Sequence, residues 1–387
     1  MTTIRTQFGA LKKPIGVAAT IAVAGALSIA TATGGSQTAT AADVSFAGKR
    51  ITILVPFNPG GGTDSYVRFL APLYEKHLPG NPKVLVLNKS GAGGILGANY
   101  FQQKAAKDGT WILALSTSTL SNYSLGDPRI IFDLKKYIPV LLSPRGAMQY
   151  VRKELGVQDA SDIGSKIKKM QSYKKDQLVY GGKTPTSMGL NFRVAFSMLG
   201  IEVKNVMGLK GNGPMALAFE RGELNVNYDN SLSYKNNRKK LIADGIAVPL
   251  YTFGVIDDAT GKFVRDPTFP DVPTFDEAYK AIHGKEPSGP EYEAFESLFH
   301  MSVTMSKSLN LPPGTPDNIV AAWVDATRAI LKDPAFVEKR QKRLGTYKQT
   351  IGKAAIPIRD KATNVTPAAR KWLANYLKSR FNYDLKE

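Results

Sequence analysis

Hydrophobic positions from residue 49 onward switch repeatedly between a strand-like and a helix-like period. Ile51-Thr52-Ile53-Leu54-Val55 is a short β-branched apolar run and predicts a buried strand. Behind it Val67, Leu70, Tyr74 and Leu78 recur at helical spacing, so Ser65 to Leu78 reads as an amphipathic helix. The pattern repeats: a strand at Val84–Leu87, a small-residue helix from Ile95 to Ala106, and a strand at Trp111–Leu115 ending in Ser116-Thr117-Ser118-Thr119. Around Val140 to Val151 the chain leaves its first domain. A strand at Gln177–Tyr180 then runs into Gly181-Gly182-Lys183-Thr184-Pro185-Thr186-Ser187, and Leu190, Val194 and Met198 follow at helical spacing. Further strands are predicted at 203–209, 224–228 (delivering Asp229 and Asn230) and 247–253, with a helix from Pro214 to Arg221. Residues 256–300 are rich in Pro, Gly, Asp and Glu and read as a long surface excursion. Thr315-Pro316 and Thr366-Pro367 each supply an N-cap and first-turn pair for a helix. Such alternation predicts an α/β architecture with mostly parallel sheets.

The connection after the first strand carries the first candidate chemistry. Phe57-Asn58-Pro59-Gly60-Gly61-Gly62-Thr63-Asp64 joins strand to helix with three consecutive glycines. Glycine lets the chain turn where side chains would clash and leaves N–H groups bare at a helix N-terminus. Such a turn either receives an anion or merely reverses the chain. Gly181 to Ser187 is a second strand–turn–helix device of the same kind in the other half of the chain. Hydroxyls at Ser116, Thr117 and Ser118 crowd a strand's C-terminal end, where ligands sit in open α/β sheets; the alternative is a capped turn.

Composition narrows the classes. The 387 residues allow two or three domains, and 43% hydrophobic with 21% charged residues is ordinary for a globular chain. Residues 1–41 read as a cleavable signal peptide: Arg5, Lys12 and Lys13 precede an Ala/Val/Ile-rich run, and Ala39-Thr40-Ala41 offers a small-x-small cleavage site. The run is long enough that an uncleaved anchor is the alternative. Without cysteine there is no disulfide, thiol nucleophile or lipoprotein anchor. Removing three basic residues with the signal lowers the formal charge from +19 to +16, a surplus that favours anionic partners. An exported chain without a basic-aromatic motif argues against nucleic acid.

Enzymatic motifs fail on their spacing. Gly62 is followed by Thr63-Asp64 and not by the lysine and hydroxyl of a phosphate-binding P-loop. Gly91-Ala92-Gly93-Gly94-Ile95-Leu96-Gly97 places its last glycine one residue late for a dinucleotide fingerprint, and the acid expected after the next strand is missing. None of His77, His283 and His300 lies in a metal-binding helix motif, and there is no nucleophile elbow. The sequence therefore implies no cofactor and no metal, and binding is the remaining chemistry.

Val55 to Asp64, Asn88 to Gly94, Lys107-Asp108-Gly109-Thr110, Leu209 to Pro214, Gly222-Glu223-Leu224 to Asn230, Phe269 to Thr274 and Pro313 to Pro316 together resemble the extracytoplasmic solute-binding receptors of tripartite tricarboxylate transporters, the Bug/TctC-like family. They stand in the family's order and cover most of residues 49–345. The resemblance implies a type II periplasmic-binding-protein fold: two α/β lobes with a ligand cleft between them. Lobe 1 would comprise 42–145, lobe 2 146–252, and 253–387 would return to lobe 1. It also implies a small organic mono-, di- or tricarboxylate ligand, held partly through water, and membrane permease subunits as partners of a monomeric periplasmic protein. By position the ligand-binding residues would be Phe57, Asn58, Gly60, Gly61, Gly62, Thr63, Asp64, Ser116, Thr117, Ser118, Gly182, Lys183, Thr186, Ser187 and Asp229. The amides of Gly60 to Thr63 and the hydroxyls of Thr186 and Ser187 would hold carboxylates, and Asp229 would accept from ligand or water. Lys183 and Pro185 stand where the family has small residues; Lys183 is either a cationic contact or a solvated side chain. A same-fold sensor and an exported enzyme are the alternative functions.

Overall fold

The computed structural model describes residues 44–385 except 210, 258 and 259. The signal-peptide expectation for 1–41 lies outside the described residues, and among those described no helix is long and apolar enough to cross a membrane.

The first sheet is built from β1 (Arg50–Val55), β2 (Lys83–Asn88), β3 (Trp111–Ser116) and β4 (Ile138–Ser143). Three residues later the chain enters the second sheet, made of β5 (Ala147–Arg152), β6 (Val179–Gly181), β7 (Lys204–Val206), β8 (Val226–Asn230) and β9 (Ala247–Thr252). A small ribbon of β10 (Val255–Ile256) and β11 (Phe263–Val264) follows, and then β12 (Lys307–Leu311) and β13 (Thr350–Ile351) complete the first sheet. The strand orders are β13-β4-β12-β3-β1-β2 and β7-β6-β8-β5-β9. β1 runs parallel to β2 and β3, whereas β12 lies antiparallel between β3 and β4.

Helix α1 (Gly62–His77) begins three residues earlier than its periodicity predicts, because Gly62, Thr63 and Asp64 are already helical. It buries Val67, Leu70 and Tyr74 on the first sheet. Tyr74 also donates or accepts at Thr327 (2.8 Å) and packs against Trp323, whose indole donates to the Gly109 carbonyl (3.0 Å). Helix α2 (Ile95–Lys104) lies so close to the chain leaving β1 that a Cβ on Gly97 would meet Pro56 at 2.7 Å. The polar run after β3 forms helix α3 (Thr117–Ser124).

Three expectations change. Residues 256–300 are not a surface excursion. They form helices Phe275–His283 and Pro290–Phe299, with Phe275, Phe295 and Phe299 fully buried. The second of these helices packs against both Gly189–Met198 of the second lobe and the terminal helix Pro367–Phe381. Its aromatic residues are spaced for one buried face, which the surrounding charges mask in the sequence. Thr315 does not cap the next helix: its hydroxyl donates to the Pro312 carbonyl (2.8 Å), and Pro316 precedes a helix that begins at Asp317. Finally, the sheets are mixed and not mostly parallel: β12, central to the first sheet and too polar in sequence to predict as a strand, is antiparallel to both neighbours, and β5 is antiparallel to β8 and β9.

Candidate functional site

Asp64 decides how the first glycine turn is used. Its carboxylate is 2% exposed and accepts from the Gly60 amide (2.8 Å), Asn88 Nδ2 (2.9 Å) and Arg68 Nε (2.9 Å). Burial pulls the Asp64 pKa up, but these donors outweigh it and hold the group below the usual carboxylate range. The Gly60 amide is thus engaged, and the Gly61 amide donates to the Asn58 carbonyl (3.3 Å). This corrects the expectation that four amides are bare: Gly62 and Thr63 keep theirs free among the described residues, at the positive end of α1. Asp64 acts by shaping the turn. Phe57 packs toward Gly94, where an added Cβ would meet the Phe57 ring at 3.0 Å and collide with the Thr119 hydroxyl. Asn58 is exposed at the turn's tip.

At the end of β3, Ser116 Oγ accepts from Lys307 Nζ at 2.7 Å, and the same ammonium donates to Thr63 Oγ1 at 2.9 Å. The register explains this: Lys307 sits directly across from Ser116 on β3 and Ser143 on β4. Lys307 is 8% exposed. Burial, then the positive charges of Arg145 and Lys183, push its pKa well below the ordinary lysine value. Thr117 is buried and Ser118 half-buried at the start of α3.

In the second lobe Gly182 is held in place: its amide donates to Val206 (2.8 Å), and a Cβ there would strike Arg193. The Ser187 hydroxyl donates to the Thr184 carbonyl (2.8 Å) and accepts from the Thr184 amide (3.3 Å). Thr186 lines a cavity of about 310 Å³ with Asn122, Asp127, Arg129 and the C-terminal residues Asn382 and Tyr383. Lys183 is half-buried and donates to Asn212 Oδ1 (3.2 Å); burial lowers its pKa while Asp229 pulls the other way. Asp229 is fully buried and accepts from Tyr150 (3.0 Å), Arg238 (3.0 Å) and Asn212 (3.4 Å). Burial raises its pKa against those donors. Both of its oxygens therefore carry protein donors, with Oδ1 met only by Asn212.

The histidines are occupied elsewhere. His77 pairs with Asp333 (2.6 Å), His283 contacts the Met198 carbonyl (3.0 Å), and burial lowers His300 to about 4.

No protein-family model matches the chain. It is 38% identical to BugT of Bordetella pertussis over 90 residues, which span 23% of this chain and 27% of BugT. It is 27% identical to a UPF0065 protein of the same organism over 297 residues, or 76% of this chain and 80% of that one. Among solved structures, a TctC solute-binding protein from Polaromonas superimposes with a TM-score of 0.59 at 20% identity, covering 85% and 98% of the two chains. The chain is similar to BugT over one segment and shares the fold of the TctC solute-binding protein. A structure of R. palustris Rpa4515 with adipate also matches, with a TM-score of 0.59 at 21% identity over 84% and 96% of the chains. These superpositions show the periplasmic-binding-protein fold with its two α/β lobes.

Sequence reasoning missed Lys307. The one legible signal was a lone lysine in Met305-Ser306-Lys307-Ser308-Leu309, a segment otherwise free of charge.

Proposed function

We propose that the chain is a periplasmic receptor that captures a small organic carboxylate between its lobes and hands it to a tripartite tricarboxylate-type permease. The observation that carries this reading is the Lys307 ammonium held between the Thr63 and Ser116 hydroxyls beside the open amides of α1. A carboxylate placed there meets a cation, two hydroxyls and a helix N-terminus together. Charge-assisted hydrogen bonds of about 1.5–3 kcal/mol each suffice for micromolar affinity, about −8 kcal/mol, after association costs. Its likeness to carboxylate-binding neighbours such as the adipate-bound protein supports the choice of ligand class. The cleft binds without turnover in this reading.

A thermal-shift screen of the mature chain against di- and tricarboxylates, aromatic acids and amino acids tests it. A true ligand at about 100 times its dissociation constant adds about 2.7 kcal/mol of stability. Mass spectrometry should return that ligand unchanged, and cells lacking the receptor should lose its uptake. A screen in which only neutral or cationic solutes stabilise the protein would overturn the reading.

A further inference from the structure

Part of the chain's positive surplus gathers on an exposed surface that capture of a solute does not use. Helix Pro334–Arg343 ends in Glu338-Lys339-Arg340-Gln341-Lys342-Arg343, and all of these side chains are exposed. The helix is firmly mounted. Phe336 is fully buried and stacks on Phe69, and Asp333 caps the first turn by accepting from the Ala335 amide (2.8 Å) while holding Lys76 (2.8 Å). Lys339, Lys342 and Arg343 stand at i, i+3 and i+4, so they are neighbours on one face, where like charges weaken a helix. None of the four cations has an ion-pair partner among the described residues, Glu338 included. The negative end of the helix offsets part of that repulsion. It does not account for what the second lobe adds. Asn236 Nδ2 donates to the Lys342 carbonyl (3.3 Å), and on either side of Asn236 in the chain stand Lys235 and Lys239, both exposed and without an ion pair among the described residues. Lys239 opens helix Lys239–Ala243, at the positive end of its dipole, where a cation is disfavoured.

The chemistry of this surface narrows its partner. Apart from Val337, the helix exposes no large apolar side chain, so it lacks the buried aromatic anchors around which protein interfaces are built. It also lacks the aromatic platforms that stack nucleic-acid bases. What it offers is a fixed, flat array of mobile cations, which suits a surface of many anionic headgroups. We propose that Lys339, Arg340, Lys342 and Arg343, with Lys235 and Lys239 of the second lobe, dock the protein on anionic phospholipid headgroups. The inference goes beyond the receptor reading and is independent of which solute fills the cleft. With no apolar face to insert, the contact is peripheral, reversible and sensitive to salt. It would keep an exported receptor at the membrane that holds its permease.

Co-sedimentation of the mature chain with vesicles of phosphatidylcholine alone, and of phosphatidylcholine with about 30% phosphatidylglycerol, tests this. At about 50 mM salt the anionic vesicles should bind at least about tenfold more tightly than the neutral ones, and about 300 mM salt should abolish the difference. Reversing Lys339, Lys342 and Arg343 together to glutamate removes three contacts of about fivefold each and should weaken binding about a hundredfold. Reversing Lys168, Lys169 and Lys174, exposed on and just after helix Ile163–Gln171, changes the net charge equally and should move the affinity less than about threefold. The chain has no cysteine, so Gln341→Cys can carry a single environment-sensitive fluorophore. Its emission should shift to the blue on anionic vesicles, whereas the same label at exposed Ile131→Cys should not respond. Equal binding to neutral and anionic vesicles overturns the proposal, as does equal damage from the two charge reversals. If the first reversal fails to fold, the label at Gln341 decides. None of these readouts involves the solute, so docking and carboxylate capture stand or fall separately.

Discussion

Replacing Lys307 by methionine should stabilise the ligand-free protein while disabling it. Methionine keeps the stem's length and removes the charge. Against that, two charge-assisted hydrogen bonds to Thr63 and Ser116 are lost, at about 1.5–3 kcal/mol each. Removing an ammonium from water costs several kcal/mol even after relaxation. The direction of the pKa shift decides between them. Burial, Arg145 and Lys183 all push Lys307 down, so its charged form is less stable in the fold than in water, and the two bonds do not offset the burial. Apolar replacement of buried charge then gains about 1–4 kcal/mol. With an unfolding entropy near 2.1 cal/mol/K per residue over roughly 340 residues, that is a rise in Tm of about 1–6 °C. The pH dependence supplies a second reading. The unfolded chain keeps this proton up to about 10.5 whereas the fold releases it earlier, so wild-type stability climbs with pH across that window. Lys183 shifts in the same direction but is present in both proteins, so the difference between their curves isolates Lys307. Thermal unfolding followed by circular dichroism from about pH 6 to about pH 9 measures both quantities. A lower Tm for the ligand-free variant, or parallel curves, would refute the reasoning.

Phe295→Ala should cost about 3–5 kcal/mol in urea unfolding, since Phe295 is fully buried against Phe253 and Phe275; a loss below about 1 kcal/mol would return residues 256–300 to the surface. Gly94→Ala should cost about 1–3 kcal/mol, because Gly94 has φ +98° and its new methyl would press on Thr119 and Phe57. Gly213→Ala, in open space within a helix, is the control and should be neutral or slightly stabilising. Burial raises the Asp276 carboxyl to about 6, so the fold binds this proton more tightly than the unfolded chain does. Stability should therefore fall as pH rises from the ordinary value near 3.8 to about 6, and Asp276→Asn should flatten that slope in a pH series of urea melts.

The parts of the fold that were legible are those where local pattern and burial coincide. β1 and β3 are near-continuous apolar runs because both faces are covered, and the helices behind them show a single apolar stripe. β12 is equally buried yet contains Lys307, Ser308 and Asn310; Lys307 donates to Thr63 and Ser116 and Asn310 Nδ2 donates to Ser308 at 2.8 Å, while Asn310 Oδ1 has no partner among the described residues. Its polarity imitates exposure, and nothing local distinguishes the two. Glycine turns announce where amides could be free, but which of them are free depends on Asp64 folding back onto Gly60, a matter of side-chain geometry. Lys307 is less legible still: it lies on β12, its partners Thr63 and Ser116 lie on α1 and at the end of β3, and only the tertiary fold brings the three together.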